Sequence, residues 1–236
     1  MAENSLRLSP SPIQFGTDGW RGVLGVDITL ERLLQVAAAA SQELAFRAPA
    51  EIKSREIIIG YDRRFLAPEL AEAIASAVRG CELKPLLTET PVPTPACSWA
   101  VVKHQALGAL VITASHNPPE WLGLKIKGPL GCSVEEEVTQ AVEMRLKAGG
   151  VFVPLPGKTQ KFDGRKEHIE GLQKKFDIPN LLKGIKDLGI KIIVDPMHGS
   201  AAGCVAELLG KDSANFLEEI RSNRDPLFGG IPPEPL

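Results

Sequence analysis

Between residues 13 and 147, short apolar runs alternate with segments of helical period, and this alternation constrains the fold more than any other feature. A strand buried on both faces reads as a continuous run of branched residues rather than as apolar and polar residues in turn. Glu56-Ile57-Ile58-Ile59-Gly60-Tyr61-Asp62 and Leu107-Gly108-Ala109-Leu110-Val111-Ile112 have that character, with shorter runs at 83–87 and 124–127. The sequence between them has helix signals. Thr29 is an N-cap with Glu31 in the first turn, opening a helix to about Phe46 that sets Leu30, Leu33, Leu34 and Ala37 on one face. Pro68 suits the first turn of a second helix running to Arg79, with Gly80 as its stop. Thr90-Pro91-Val92-Pro93-Thr94-Pro95 is a rigid connector, because its prolines remove donors in alternate positions, and it leads into a helix around Trp99. Ser133-Val134-Glu135-Glu136 reads as a capping box for a helix to about Lys147. Strands and helices in this order predict an α/β sheet covered on both faces.

The rhythm breaks after Lys147. Residues 149–164 read as a linker that pairs briefly through Val151-Phe152-Val153, and residues 1–12 as a flexible N-terminus. A second α/β unit occupies 165–236, with a helix, a strand at 191–194, the turn Asp195-Pro196-Met197-His198-Gly199-Ser200 and a further helix. After Phe216 no partner strand is expected, so this unit reads as incomplete. The formal charge of −2 leaves no basic footprint, which argues against a nucleic-acid partner. An anionic ligand must instead be held by a local cluster. Cys81, Cys97, Cys132 and Cys204 are widely spaced, which favours reduced thiols over a zinc site. No apolar leader or membrane-spanning run is present, and the expected compartment is the cytoplasm.

Reactive groups gather at the carboxyl end of the 107–112 run. There Thr113-Ala114-Ser115-His116-Asn117-Pro118-Pro119 follows an apolar strand with a hydroxyl, an imidazole and a carboxamide, then a rigid double proline. In parallel sheets this is the end where ligands bind. A serine hydroxyl is a poor nucleophile until a base, a metal or prior phosphorylation changes it. Ser115 lacks a G-x-S-x-G elbow, which excludes an α/β-hydrolase. A phosphate on Ser115 would add about −1.5 to −2 charge at neutral pH and three acceptor oxygens. His116, Asn117 and Lys125 are the nearby groups that could hold it. In Phe15-Gly16-Thr17-Asp18-Gly19-Trp20-Arg21-Gly22 the glycines let backbone approach a ligand, and Arg21 offers a planar fork for phosphate oxygens. Gly157-Lys158-Thr159 lacks the earlier glycine of a P-loop. Asp195 and His198 are read as organising their own turn.

Residues 113–119 resemble the phosphoserine loop of the α-D-phosphohexomutases, the phosphoglucomutase/phosphomannomutase family. Gly16-Thr17-Asp18-Gly19-Trp20-Arg21 is similar to the Gly-Thr-x-Gly-x-Arg segment with which those enzymes begin. Gly123 and Lys125 match their Asn-Gly-x-Lys pattern, with Leu122 where asparagine is usual. The resemblance implies a three-layer α/β/α domain with a mixed sheet over 13–148 and an incomplete domain of similar type over 165–236. The implied reaction moves a phosphoryl group between C1 and C6 of an α-D-hexose phosphate, through a phosphoserine and a bisphosphate. Ser115, His116, Lys125 and Arg21 would be catalytic, and Thr17, Arg21, Asn117 and Lys125 would bind phosphate or substrate. One Mg²⁺ would be reached through the Ser115 phosphate, with a sugar bisphosphate of the glucose 1,6-bisphosphate type as activator. The family's Asp-x-Asp-x-Asp metal loop has no counterpart here. The resemblance therefore covers the N-terminal part only, and the chain alone is expected to be weak or inactive. Its partners would be a hexose phosphate and the remaining domains. Glucose, mannose and glucosamine phosphates stay open as substrates, and a non-catalytic fragment or binding module is the alternative.

Overall fold

The structure, a computed structural model, describes residues 9–16, 19–149 and 152–234. Six strands form one mixed sheet: β1 (Trp20–Val23), β2 (Glu56–Tyr61), β3 (Lys84–Thr88), β4 (Gly108–Ile112), β5 (Trp121–Lys127) and β6 (Gln160–Phe162). Their spatial order is β1-β5-β4-β2-β3-β6. The four strands from β4 to β6 are parallel, whereas β5 runs antiparallel to β4, and β1 to β5. Four helices cover the sheet: α1 (Leu30–Phe46), α2 (Ala67–Gly80), α3 (Thr94–His104) and α4 (Glu136–Lys147). The continuous apolar runs are explained by two cores. Ile57, Ile59, Leu110 and Ile112 face the layer of α1, α2 and α4, while Ile58, Ala109 and Val111 face α3. Each fully buried Ile or Leu contributes about 1.5–3 kcal/mol relative to exposure, so both faces of β2 and β4 must stay covered.

Local signals decide most element ends, with instructive exceptions. The Thr29 hydroxyl accepts from the Arg32 N–H at 3.3 Å and opens α1 as expected, but Leu30 is 51% exposed rather than on the buried face. Helix α3 begins at Thr94, so the proline connector stops at Pro93 and Pro95 sits in the first turn. The capping box at Ser133 does not form. Lys127 Nζ donates to the Ser133 hydroxyl at 2.8 Å, and α4 starts at Glu136 without a side-chain cap. Ser11, in the stretch expected to be flexible, donates its N–H to Asp27 at 2.8 Å.

Residues 149–164 do more than link. Val151 lies outside the described residues, Phe152 packs on the α1/α4 core, and the segment that pairs is β6, at the edge beside β3. The stretch before it is tied to α2, where the Leu155 N–H donates to Ser76 O at 3.0 Å and Arg79 Nε donates to Leu155 O at 2.8 Å. Beyond it lie α5 (Gly164–Lys175), α6 (Ile178–Asp187), β7 (Ile192–Val194), α7 (Cys204–Leu209) and β8 (Leu217–Glu219). β8 pairs in parallel with β7, where the sequence reading expected an unpaired run-out; Leu217-Glu218-Glu219 has a single apolar residue and so no strand signal.

One topological fact positions the site. From β2 the chain passes through α2 to β3 on one side, and α3 then carries it back to β4 on the other side of β2. The loops leaving β2 and β4 diverge from adjacent strands, which opens a crevice at their carboxyl ends.

Candidate functional site

Ser115 leaves β4 at that crevice, exposed, with φ of +58°. A left-handed conformation costs a residue bearing a Cβ roughly 1–2 kcal/mol, so its surroundings must hold it there. The Ser115 N–H donates to Thr113 Oγ1 at 3.0 Å, and the Asn117 N–H closes a turn on Ala114 O at 3.1 Å. From the turn after the neighbouring strand β2, Arg64 reaches under the loop. Its Nη2 donates to the carbonyls of Ser115 (2.9 Å) and Asn117 (2.7 Å), and its Nη1 to those of Pro118 (2.8 Å) and Trp121 (3.1 Å). Only 1% of the Arg64 side chain is exposed. Asp62 lies beside it, with Oδ2 3.3 Å from Arg64 Nε, and also takes the Thr113 hydroxyl. Burial pushes the Asp62 carboxyl above its usual range, against the opposing pull of the Thr113 hydroxyl and the Arg64 charge. Burial likewise lowers the Arg64 guanidinium, with Asp62 opposing.

Strand register sets the cations. Val111 lies opposite Lys125 and Arg21 opposite Gly123, so Arg21, Gly123 and Lys125 share the sheet face on which Val111 meets α3. Lys125 is 7% exposed. The missing side chain of Gly123 matters, because a Cβ there would lie 2.4 Å from Trp20 O and 3.0 Å from Arg21 Cγ. Arg21 Nη1 donates to Asn117 Oδ1 at 3.2 Å, joining the glycine-rich segment to the serine loop. Among the described residues, Arg21 Nε is buried and has no hydrogen-bond partner.

Ser115, Asn117 and Arg21 are thus brought together, with Lys125 on the same face as Arg21. His116 is exposed and turns to Glu234, with Nε2 3.3 Å from Oε2. Thr17 lies outside the described residues. The sequence reading assigned no role to Asp62, Arg64 or Phe228. The available signal was Asp62-Arg63-Arg64 at the carboxyl end of a parallel strand, the same kind of position that singled out Ser115. A cavity of about 230 Å³ joins Thr113, Ser115 and Asp62 to Met197, Ser200 and Phe228 of the second unit. A larger hollow of about 430 Å³, between Gly19 and the start of α4, does not include Ser115. Among the described residues no three His, Cys, Asp or Glu side chains gather as a metal site, and no helix is long and apolar enough to cross a membrane.

Comparison with known proteins places the chain in a family. Residues 12–150 match the model for phosphoglucomutase/phosphomannomutase, alpha/beta/alpha domain I. The chain is 33% identical over 207 residues to the phosphoglucosamine mutase of Synechococcus sp. (strain RCC307), covering 87% of this chain and 42% of that protein. It is 27% identical over 235 residues to a phosphoglucomutase of Staphylococcus aureus, covering 94% of this chain and 41% of the relative. A crystal structure from Thermus thermophilus, provisionally assigned as a phosphomannomutase, superposes with a TM-score of 0.83 at 33% identity, over 96% of this chain and 50% of that one. The chain therefore spans less than half the length of the curated relatives it matches.

Proposed function

The chain belongs to the phosphoglucomutase/phosphomannomutase family, and from that membership we propose that it is the serine-bearing part of a phosphohexomutase. The observation carrying the reading is Ser115 held left-handed at the switch point, with Arg21 bonded to Asn117 two residues away. In the proposed step a hexose bisphosphate gives up one phosphoryl group. A bond forms from Ser115 Oγ to phosphorus, the phosphorus–sugar oxygen bond breaks, and the serine proton passes to the departing sugar oxygen. Lys125, on the same sheet face as Arg21, is assigned the proton relay. The reverse step returns the phosphate to the other end of the sugar. Arg21 supplies a fork for the phosphate oxygens, and Asn117 orients that fork. Pre-aimed donors of this kind stabilise charge more effectively in a water-poor site than in solvent.

Mg²⁺ and a glucose 1,6-bisphosphate type activator belong to the proposal through the family. The described residues do not fit a metal site of their own, since the one carboxylate in the Ser115 cavity, Asp62, is already engaged by Arg64 and the Thr113 hydroxyl. A phosphate on Ser115 is the ligand this chain would contribute, and the remaining domains of its relatives are its proposed partners. Intact mass of the purified chain after incubation with glucose 1,6-bisphosphate and Mg²⁺ tests the serine. One added phosphate is expected, absent in Ser115→Ala; equal uptake by both proteins would sink the reading. Turnover of glucose 1-phosphate or glucosamine 1-phosphate by the chain alone is expected to be weak, and robust turnover would overturn that part.

A further inference from the structure

We propose that Arg64 is a positioning residue for Ser115, and that the segment following β8 locks it in place. This rests on the reading of Ser115 as the phosphoryl acceptor, and extends it to what sets the serine's geometry. Both polar groups of the Ser115 backbone lead back to one buried pair. The N–H goes to the Thr113 hydroxyl, which is bonded to Asp62, and the C=O goes directly to Arg64. Two further loop carbonyls, of Asn117 and Pro118, and that of Trp121 at the start of β5 converge on the same guanidinium. A planar fork can serve four carbonyls at once, whereas a lysine ammonium is a point charge with three donors on a flexible stem.

The guanidinium also meets the second unit. The Phe228 ring centre lies 4.9 Å from Arg64 Cζ, and Phe228 is buried. Two more ties flank it. Arg224 Nη2 donates to Arg64 O at 3.3 Å, and Arg63 Nη1 donates to Ser222 O at 2.7 Å. The turn that presents Phe228 is itself fixed, with Asp225 accepting the N–H groups of Leu227 and Gly229 at 2.9 Å each. Contact with the second unit is thereby transmitted, through one cation, to the conformation of the serine loop.

Amide exchange in a peptide covering residues 113–121 of the full chain reads the loop directly. Arg64→Lys is expected to speed that exchange about tenfold while the α1 peptide stays unchanged. Phe228→Leu keeps apolar volume but removes the ring, and a smaller rise in the same peptide is expected; it carries the test should the lysine variant not fold. Unchanged exchange in the folded variants overturns the proposal. The second arm follows phosphate uptake by Ser115 from glucose 1,6-bisphosphate with Mg²⁺. The limiting rate of Arg64→Lys should fall about tenfold with the half-saturating donor concentration nearly constant, and a loss confined to half-saturation overturns the positioning role. Should the unaltered chain take up no phosphate, the phosphoserine reading fails by itself. The exchange arm still decides whether Arg64 and Phe228 hold the loop.

Discussion

Gly19 is doubly constrained. Its φ is +119°, and a Cβ would meet Leu124 O at 2.7 Å and Lys125 Cγ at 3.1 Å. Gly19→Ala should therefore cost about 2–4 kcal/mol in urea unfolding and displace the Lys125 stem; a loss below about 0.5 kcal/mol would contradict the close approach. Glycines beside Arg21, a hydroxyl and a carboxamide after an apolar strand, and a lysine on the next strand are legible because their types are unusual in those settings. Arg64 was not, because an arginine in a polar turn looks like any solvated cation. Only the fold shows that three carbonyls of a distant loop, and that of Trp121 at the start of β5, converge on it.

Among the elements, α1 and α4 are joined through a buried carboxylate. Glu43 is almost fully buried and is ion-paired with Arg145 of α4 and with Arg47 at 3.0 Å. Burial alone would raise its carboxyl, but the hydrogen bonds and charges of Arg145 and Arg47 outweigh this and hold it below the ordinary 4.5. A depressed folded value means stabilisation that is present above 4.5 and lost as pH falls through the folded value. Arg145→Ala should cost about 1–3 kcal/mol at pH 7, with the gap to the unaltered chain narrowing as pH falls below 4.5. Denaturant titrations at both pH values check this, and a pH-independent gap would show that only packing was lost. Central elements were readable from sequence because β2 and β4 are buried on both faces, and such runs have few alternatives. Edge elements were not. β6 and β8 are three-residue strands held by backbone pairing, with little side-chain pattern to mark them, and Ser133 had a lysine partner that no local motif announces.

At the scale of the whole molecule, burial is uneven. The sheet of β1 to β6 encloses two apolar layers, whereas the second unit leaves Leu188 74% and Ile193 67% exposed and buries few large side chains. Peptides from 178–194 should exchange at least about tenfold faster than the peptide covering β4, because local opening follows buried apolar contact. Comparable protection in the two would refute this difference in stability. The serine loop inherits a different freedom from the reversal of β5. Because β4 and β5 are neighbours, residues 113–120 leave one strand and re-enter the next, the two axes lying about 4.7–4.9 Å apart, like a stirrup hung from two adjacent bars. A change of length within such a stirrup would leave the pairing of β4 with β5 intact. Lys125 has no such latitude, since a slip of one position along β5 would turn it to the opposite side of the sheet and present Leu124 in its place.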